Sequence, residues 1–343
     1  EKAKGRSLLD GGLAHKVWTL ANNYYARDAF ADVWDALTKM YGKLPTQVHT
    51  LEEFWTPKLQ KTVKFLVGKE RLEDIMELSC MQLEGQFSKS MWRKSYRSKD
   101  VGYHASNLIT SLASWIYWCY YGLSAEELLT YEHDWCRGYV HFLALEIRRE
   151  NPKVLEQMRE AILGENQQVL LSRVMIRAII ISGQEEMVDL LLKLLVAAKL
   201  QEGLRQSILE SADEGSTETM KKIIKVCLDE DLFRYSSATR AFDTWTGLGY
   251  GDAKPAVVKK CAAFAYECLE DKEVRMRYLD SENNLEAYFA MWSMGCYEIE
   301  DTDEMARKLL DDPKKYRRIL GWLFVSRTDN ADYKMHLASS YLE

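Results

Sequence analysis

The sequence predicts an all-α protein, and three observations carry that prediction. Apolar residues recur at helical spacing along nearly the whole chain. The 343 residues include only 5 prolines and 18 glycines, too few for a fold built of many turns. A turn recurs through the second half and is followed each time by a helix: Ser182-Gly183-Gln184, Glu214-Gly215-Ser216 and Tyr250-Gly251-Asp252, with a glycine-free echo at Glu300-Asp301-Thr302. The glycines are 32 and 36 residues apart. Such a period indicates stacked helical pairs, each of which buries its apolar face only against a neighbour.

Helical segments are expected at about 12–40, 51–66, 70–98, 104–122, 125–149, 152–163 and 168–181. They continue at about 185–198, 202–212, 217–228, 236–246, 255–270, 284–294, 302–311 and 314–326. Ser124 with Glu127 forms a capping box, and Asn151-Pro152 and Asp312-Pro313 each place a cap before a first-turn proline. The apolar run 108–123 is about 16 residues and is broken by Thr110, Ser111 and Ser114. A bilayer span needs ~20 apolar residues, so this segment reads as a buried core helix.

After each turn one helix face is apolar. Gly183 is followed by Met187, Leu190, Leu191 and Leu194; Gly215 by Met220, Ile223, Ile224 and Cys227. Gly251 is followed by Val257, Val258, Cys261 and Phe264, and Asp301 by Met305, Leu309 and Leu310. The second helices of the pairs are expected at 203–211, 237–245, 285–294 and 316–325. The repeats are irregular, so the expected architecture is an α-α superhelix of HEAT-like repeats over 151–343. A packed helical region precedes it over 1–150.

Residues 1–150 hold 20 basic and 19 acidic residues, whereas the remainder holds 26 and 33 within a chain of net charge −6. The acidic second half makes a poor nucleic-acid surface. Seven scattered cysteines without a CxxC pair read as reduced, buried thiols of a cytoplasmic protein. The chain opens at Glu1-Lys2-Ala3 without an initiating Met, which points to a piece of a longer protein.

Four groupings were weighed for chemistry. Glu132, His133, Asp134, Cys136 and His141 put two ligand types one turn apart, but His141 lies about two turns further on, and the segment reads as a packed helix without metal. The run 247–252 is glycine-rich but follows a helix and lacks a GK[ST] ending. It reads as a turn using glycines at positive φ rather than a phosphate loop. No nucleophile motif or catalytic grouping is evident, and no cofactor is expected. The stretch from Lys89 is different. On a helix Lys89, Arg93 and Arg97 share an arc of roughly 140° with Trp92 and Tyr96. Cations for phosphates and rings for bases make this the candidate ligand-binding face of a nucleic-acid or phosphate-ligand reading.

The runs Leu200-Gln201-Glu202-Gly203-Leu204-Arg205-Gln206, Leu232-Phe233-Arg234-Tyr235-Ser236-Ser237-Ala238-Thr239-Arg240 and Thr244-Trp245-Thr246-Gly247 resemble the helical-repeat region of large bacterial molybdate-regulator-like (MolR) proteins. The likeness covers mainly 170–310. It implies a bacterial, cytoplasmic, multi-domain parent, with no catalytic residue to carry over. It also implies structural roles: Arg205 and Arg240 tying adjacent turns, and Trp245 filling a seam between repeats. The expected function is a non-enzymatic scaffold for a protein or peptide partner, with nucleic acid as the competing partner and no membrane.

Overall fold

The computed structural model describes residues 54–87, 111–112, 115–116, 118–119, 138–165, 171–249, 254–294, 307–315, 317–318 and 321–322. Among them every regular element is a helix. The chain divides into two compact units, 1–86 with 100–223 and 87–99 with 224–343.

In the first unit α1 (Pro57–Val67) starts where Thr56 Oγ1 accepts the Leu59 N–H at 3.2 Å and Pro57 fills the first turn. After Gly68 comes α2 (Lys69–Phe87). The apolar run behaves as expected of a core segment, with Leu112, Trp115, Ile116 and Trp118 buried.

Of the helix expected over 125–149, residues 125–137 lie outside the described residues. α3 (Tyr139–Arg148) begins after Gly138, whose φ is 83°. Trp115 Nε1 donates to the Gly138 carbonyl at 2.9 Å, and a Cβ on residue 138 would lie 2.7 Å from that nitrogen. The positive φ and the close approach both require glycine.

α4 (Pro152–Leu163) has the expected cap, Asn151 Oδ1 accepting the Lys153 N–H at 3.2 Å. α5 (Arg173–Ser182) is capped by Ser172 and starts later than the apolar pattern suggested. α5 packs between α3 and α7 (Glu202–Ser211), and α6 (Glu185–Leu195) packs on α4. Burial on both sides explains why Ile176, Ala178, Ile179 and Ile180 of α5 are almost solvent-free.

The recurring glycine turn has two physical causes. Gly183 closes α5 at φ 65°, and Gln184 Oε1 then caps α6 through the Met187 N–H at 2.8 Å. Gly215, after the short 3₁₀ turn Ala212–Glu214, has an ordinary φ of −79°. What it lacks room for is a Cβ, which would meet Ile180 Cγ2 at 2.9 Å. Ser216 Oγ caps α8 (Thr217–Asp229) through the Thr219 N–H at 3.1 Å.

The second unit has an aromatic core. The 3₁₀ turn Leu232–Arg234 leads into α9 (Ser236–Thr246), followed by α10 (Pro255–Glu270) and α12 (Asn284–Met294). Phe242 meets Phe233, Trp245 and Phe289 at centroid distances of 5.6, 6.2 and 6.0 Å. Trp292 Nε1 donates to the Trp245 carbonyl at 3.1 Å, and the Tyr288 hydroxyl to the Thr246 carbonyl at 2.6 Å. Between α10 and α12 lies α11 (Lys272–Leu279), absent from the sequence expectation. Asp271 Oδ1 starts it by accepting the Glu273 and Val274 N–H groups at 2.7 and 3.4 Å. Only Leu279 of α11 is buried, so no apolar stripe announces the helix.

Candidate interaction surface

The binding arc proposed from the sequence, Lys89, Trp92, Arg93, Tyr96 and Arg97, lies outside the described residues. So do Glu132, His133, Asp134 and Cys136, while His141 is half-buried on α3. Among the described residues no group of three His, Cys, Asp or Glu side chains could hold a metal ion. Gly247 and Gly249 have φ of 69° and 75°, as a turn demands; the Gly247 N–H closes α9 on the Asp243 carbonyl at 2.7 Å. Residues 250–253 lie outside the described residues.

Burial pushes the Cys227 thiol up to about 12. Burial also dominates at Cys119 and Cys268, both raised to about 12. Thiols held so far from the thiolate form are poor nucleophiles at neutral pH.

The described surface is organised by ion pairs between successive layers of helices. Arg177 on α5 grips Glu214 through two bonds of 2.6 and 2.8 Å, and Arg173 reaches Glu210 at 3.4 Å. Arg159 on α4 grips Glu186 at the start of α6 through two bonds of 2.8 Å. Those bonds hold the Glu186 carboxyl below its ordinary value. Lys222 on α8 reaches back to Glu185 and Asp189 on α6 at 3.0 and 3.1 Å. Arg148, at the end of α3, donates to the Ser182 and Ile181 carbonyls at the end of α5 at 3.3 and 3.4 Å.

The second unit repeats the device. Lys259 reaches Asp231 at 2.7 Å, and that bond holds the Asp231 carboxyl below its usual range. Lys308 reaches Asp280 at 2.7 Å, and Lys314 pairs with Glu282. Arg317 is buried; it donates to Asp312 at 2.7 Å, to the Ser281 carbonyl at 2.9 Å and to the Leu279 carbonyl. Burial alone would raise the Asp312 carboxyl, and the bonds from Arg317 and the Lys314 N–H outweigh it.

Arg205 is buried and pairs with Glu202 one turn back on its own helix at 2.6 Å. Arg240 is exposed on α9, and among the described residues no hydrogen bond or ion pair holds it. Trp245 is buried; its ring meets Phe242 of its own helix, and its carbonyl accepts from Trp292 Nε1 on α12.

One surface feature escaped the sequence reading. Lys58, Lys61 and Lys64 lie along α1 with Phe65 among them, and Phe65 is 88% exposed. The signal was present: lysines at i, i+3 and i+6, with no carboxylate between 57 and 69.

Among the described residues the protein is all-helical, and several of its helices are tied to one another by charge. Among the described residues no helix is long and apolar enough to cross a membrane. The chain belongs to a family of unknown function, DUF5724, whose model matches residues 13–343. No curated protein and no solved structure matches it.

Proposed function

We propose that this chain is a non-enzymatic, HEAT-like helical-repeat scaffold that binds a protein or peptide partner within a larger bacterial, cytoplasmic protein. One observation carries the reading: most ties between helices join residues 27 to 38 apart in sequence, about the length of one helical pair. Arg148 is 33 and 34 residues from the carbonyls it holds, and Arg173 and Arg177 are each 37 from their glutamates. Lys222 is 33 and 37 residues from its two carboxylates, and Arg317 is 36 and 38 from its carbonyls. A helix that packs on the helix two further along, with a recurring offset, is the geometry of stacked pairs. Stacking aligns equivalent faces into one continuous surface, which suits an extended partner.

We also propose kinship of 170–310 with the helical-repeat region of the MolR proteins. The likeness of the runs 200–210, 231–241 and 244–247 is what supports it.

The test uses the full chain, immobilised and exposed to nuclease-treated lysate, followed by reconstitution with each purified protein retained. Saturable, stoichiometric binding of a protein is the expected result. Retention that disappears with the nuclease, or no saturable binder, would overturn the reading.

A further inference from the structure

We propose that the outward face of α1 docks an acidic segment of a partner protein, with carboxylates on Lys58, Lys61 and Lys64 and an apolar side chain on Phe65. This deepens the scaffold reading and rests on it.

The face is built by local rules. The Thr56 cap and Pro57 fix where α1 begins, and Leu59 and Val63, at 2% and 0% exposure, fix which side turns inward. At about 100° per residue, taking Lys58 as zero, Lys61 falls near −60° and Lys64 near −120°. Phe65 falls near −20°, between the first two lysines, while Leu59 and Val63 fall near 100° and 140° on the opposite side. The lysines thus surround a ring that is 88% exposed.

Charge selects the partner. The stretch 57–69 carries Lys58, Lys61, Lys64 and Lys69 and no Asp or Glu. Lys222, Lys259 and Lys308 find carboxylates on other layers. Among the described residues the ammonium groups of Lys58, Lys61 and Lys64 have no ion pair or hydrogen bond. Three cations on one helix face call for carboxylates or phosphates, and the bare ring gains by leaving water.

One observation favours an acidic peptide over a nucleic acid. The chain as a whole carries −6, so a long polyanion is repelled beyond the patch, whereas a short acidic segment meets only the lysines.

The experiment selects a displayed library of random twelve-residue peptides on the full chain, in parallel with K58E/K61E/K64E and F65S. All four positions are on the outward face, so the thermal midpoints should match. The wild type should enrich peptides that combine several carboxylates with an aromatic or aliphatic residue. The best of them, synthesised, should bind the triple variant at least roughly tenfold more weakly, the loss of three exposed pairs. F65S should bind it several-fold more weakly, and added salt should weaken wild-type binding.

Enriched peptides that are neutral or basic, or acidic peptides held equally by the triple variant, would overturn this site while leaving the scaffold reading intact. Enrichment of no peptide by any of the proteins would overturn both. A labelled single-stranded oligonucleotide that binds more tightly than the best peptide, and is lost with the three lysines, would reassign the face to nucleic acid.

Discussion

Gly215 and Gly203 differ in the room around them. A Cβ at 215 would press on Ile180 Cγ2 and the Thr219 side chain at 2.9 Å, whereas a Cβ at 203 meets nothing within 4 Å. Gly215→Ala should therefore cost about 1–3 kcal/mol as an overpacking change, and Gly203→Ala in α7 should be neutral or stabilising by up to ~1 kcal/mol. Thermal melts of the two variants check this. A second contrast separates arginines. Arg317→Ala leaves two carbonyls and the Asp312 carboxylate without their donor, and should cost about 3 kcal/mol. Arg240→Ala, at an exposed position, should stay within about 0.5 kcal/mol. A large loss at Arg240 would restore the role expected of it from sequence. Acid should act through the same kind of tie. Glu186 and Asp231 are held below their ordinary values by Arg159 and Lys259. Their stabilisation is complete above the unfolded pKa values near 4 and is lost as pH falls through the lower folded values. The thermal midpoint should be flat from neutral pH to about 5 and fall below about 4. A chain with Arg159→Gln and Lys259→Gln should lose part of that acid sensitivity.

Elements were legible where their ends carry chemistry. The Asn151-Pro152 signal gives the start of α4, and Pro255 and Gly247 bound α10 and α9, so those expected ranges match the helices observed. Where the apolar pattern alone spoke, it overran. The helix expected from 168 begins at Arg173, after the Ser172 cap. The pattern missed α11, which buries only Leu279 and owes its start to Asp271. Asp271→Ala should accordingly cost about 1 kcal/mol through lost capping of two N–H groups, readable by denaturant titration. The inter-layer ties were illegible for a simpler reason. Their partners are 27 to 72 residues apart, and a single sequence shows neither which carboxylate an arginine reaches nor whether it reaches one. The lysine face of α1 was legible in principle from spacing alone, whereas the exposure of Phe65 required the packing of Leu59 and Val63.

At the scale of the molecule, the proposed scaffold rests on the recurrence of ties more than on any single pair. Exposed pairs such as Lys259 with Asp231 contribute little individually. On that reading each helical pair repeats the placement of the one before it within its unit. In the first unit, α5 lies buried between α3 and α7, so its contacts are with near neighbours in the stack. A protein built this way opens in steps of about one helical pair instead of all at once. Native-state hydrogen exchange on Gly215→Ala tests this claim most directly. The account predicts that amides of α5, α7 and α8 exchange markedly faster than in the wild type while those of α1 and α2 keep their protection. An equal loss of protection across every helix of the first unit would contradict it.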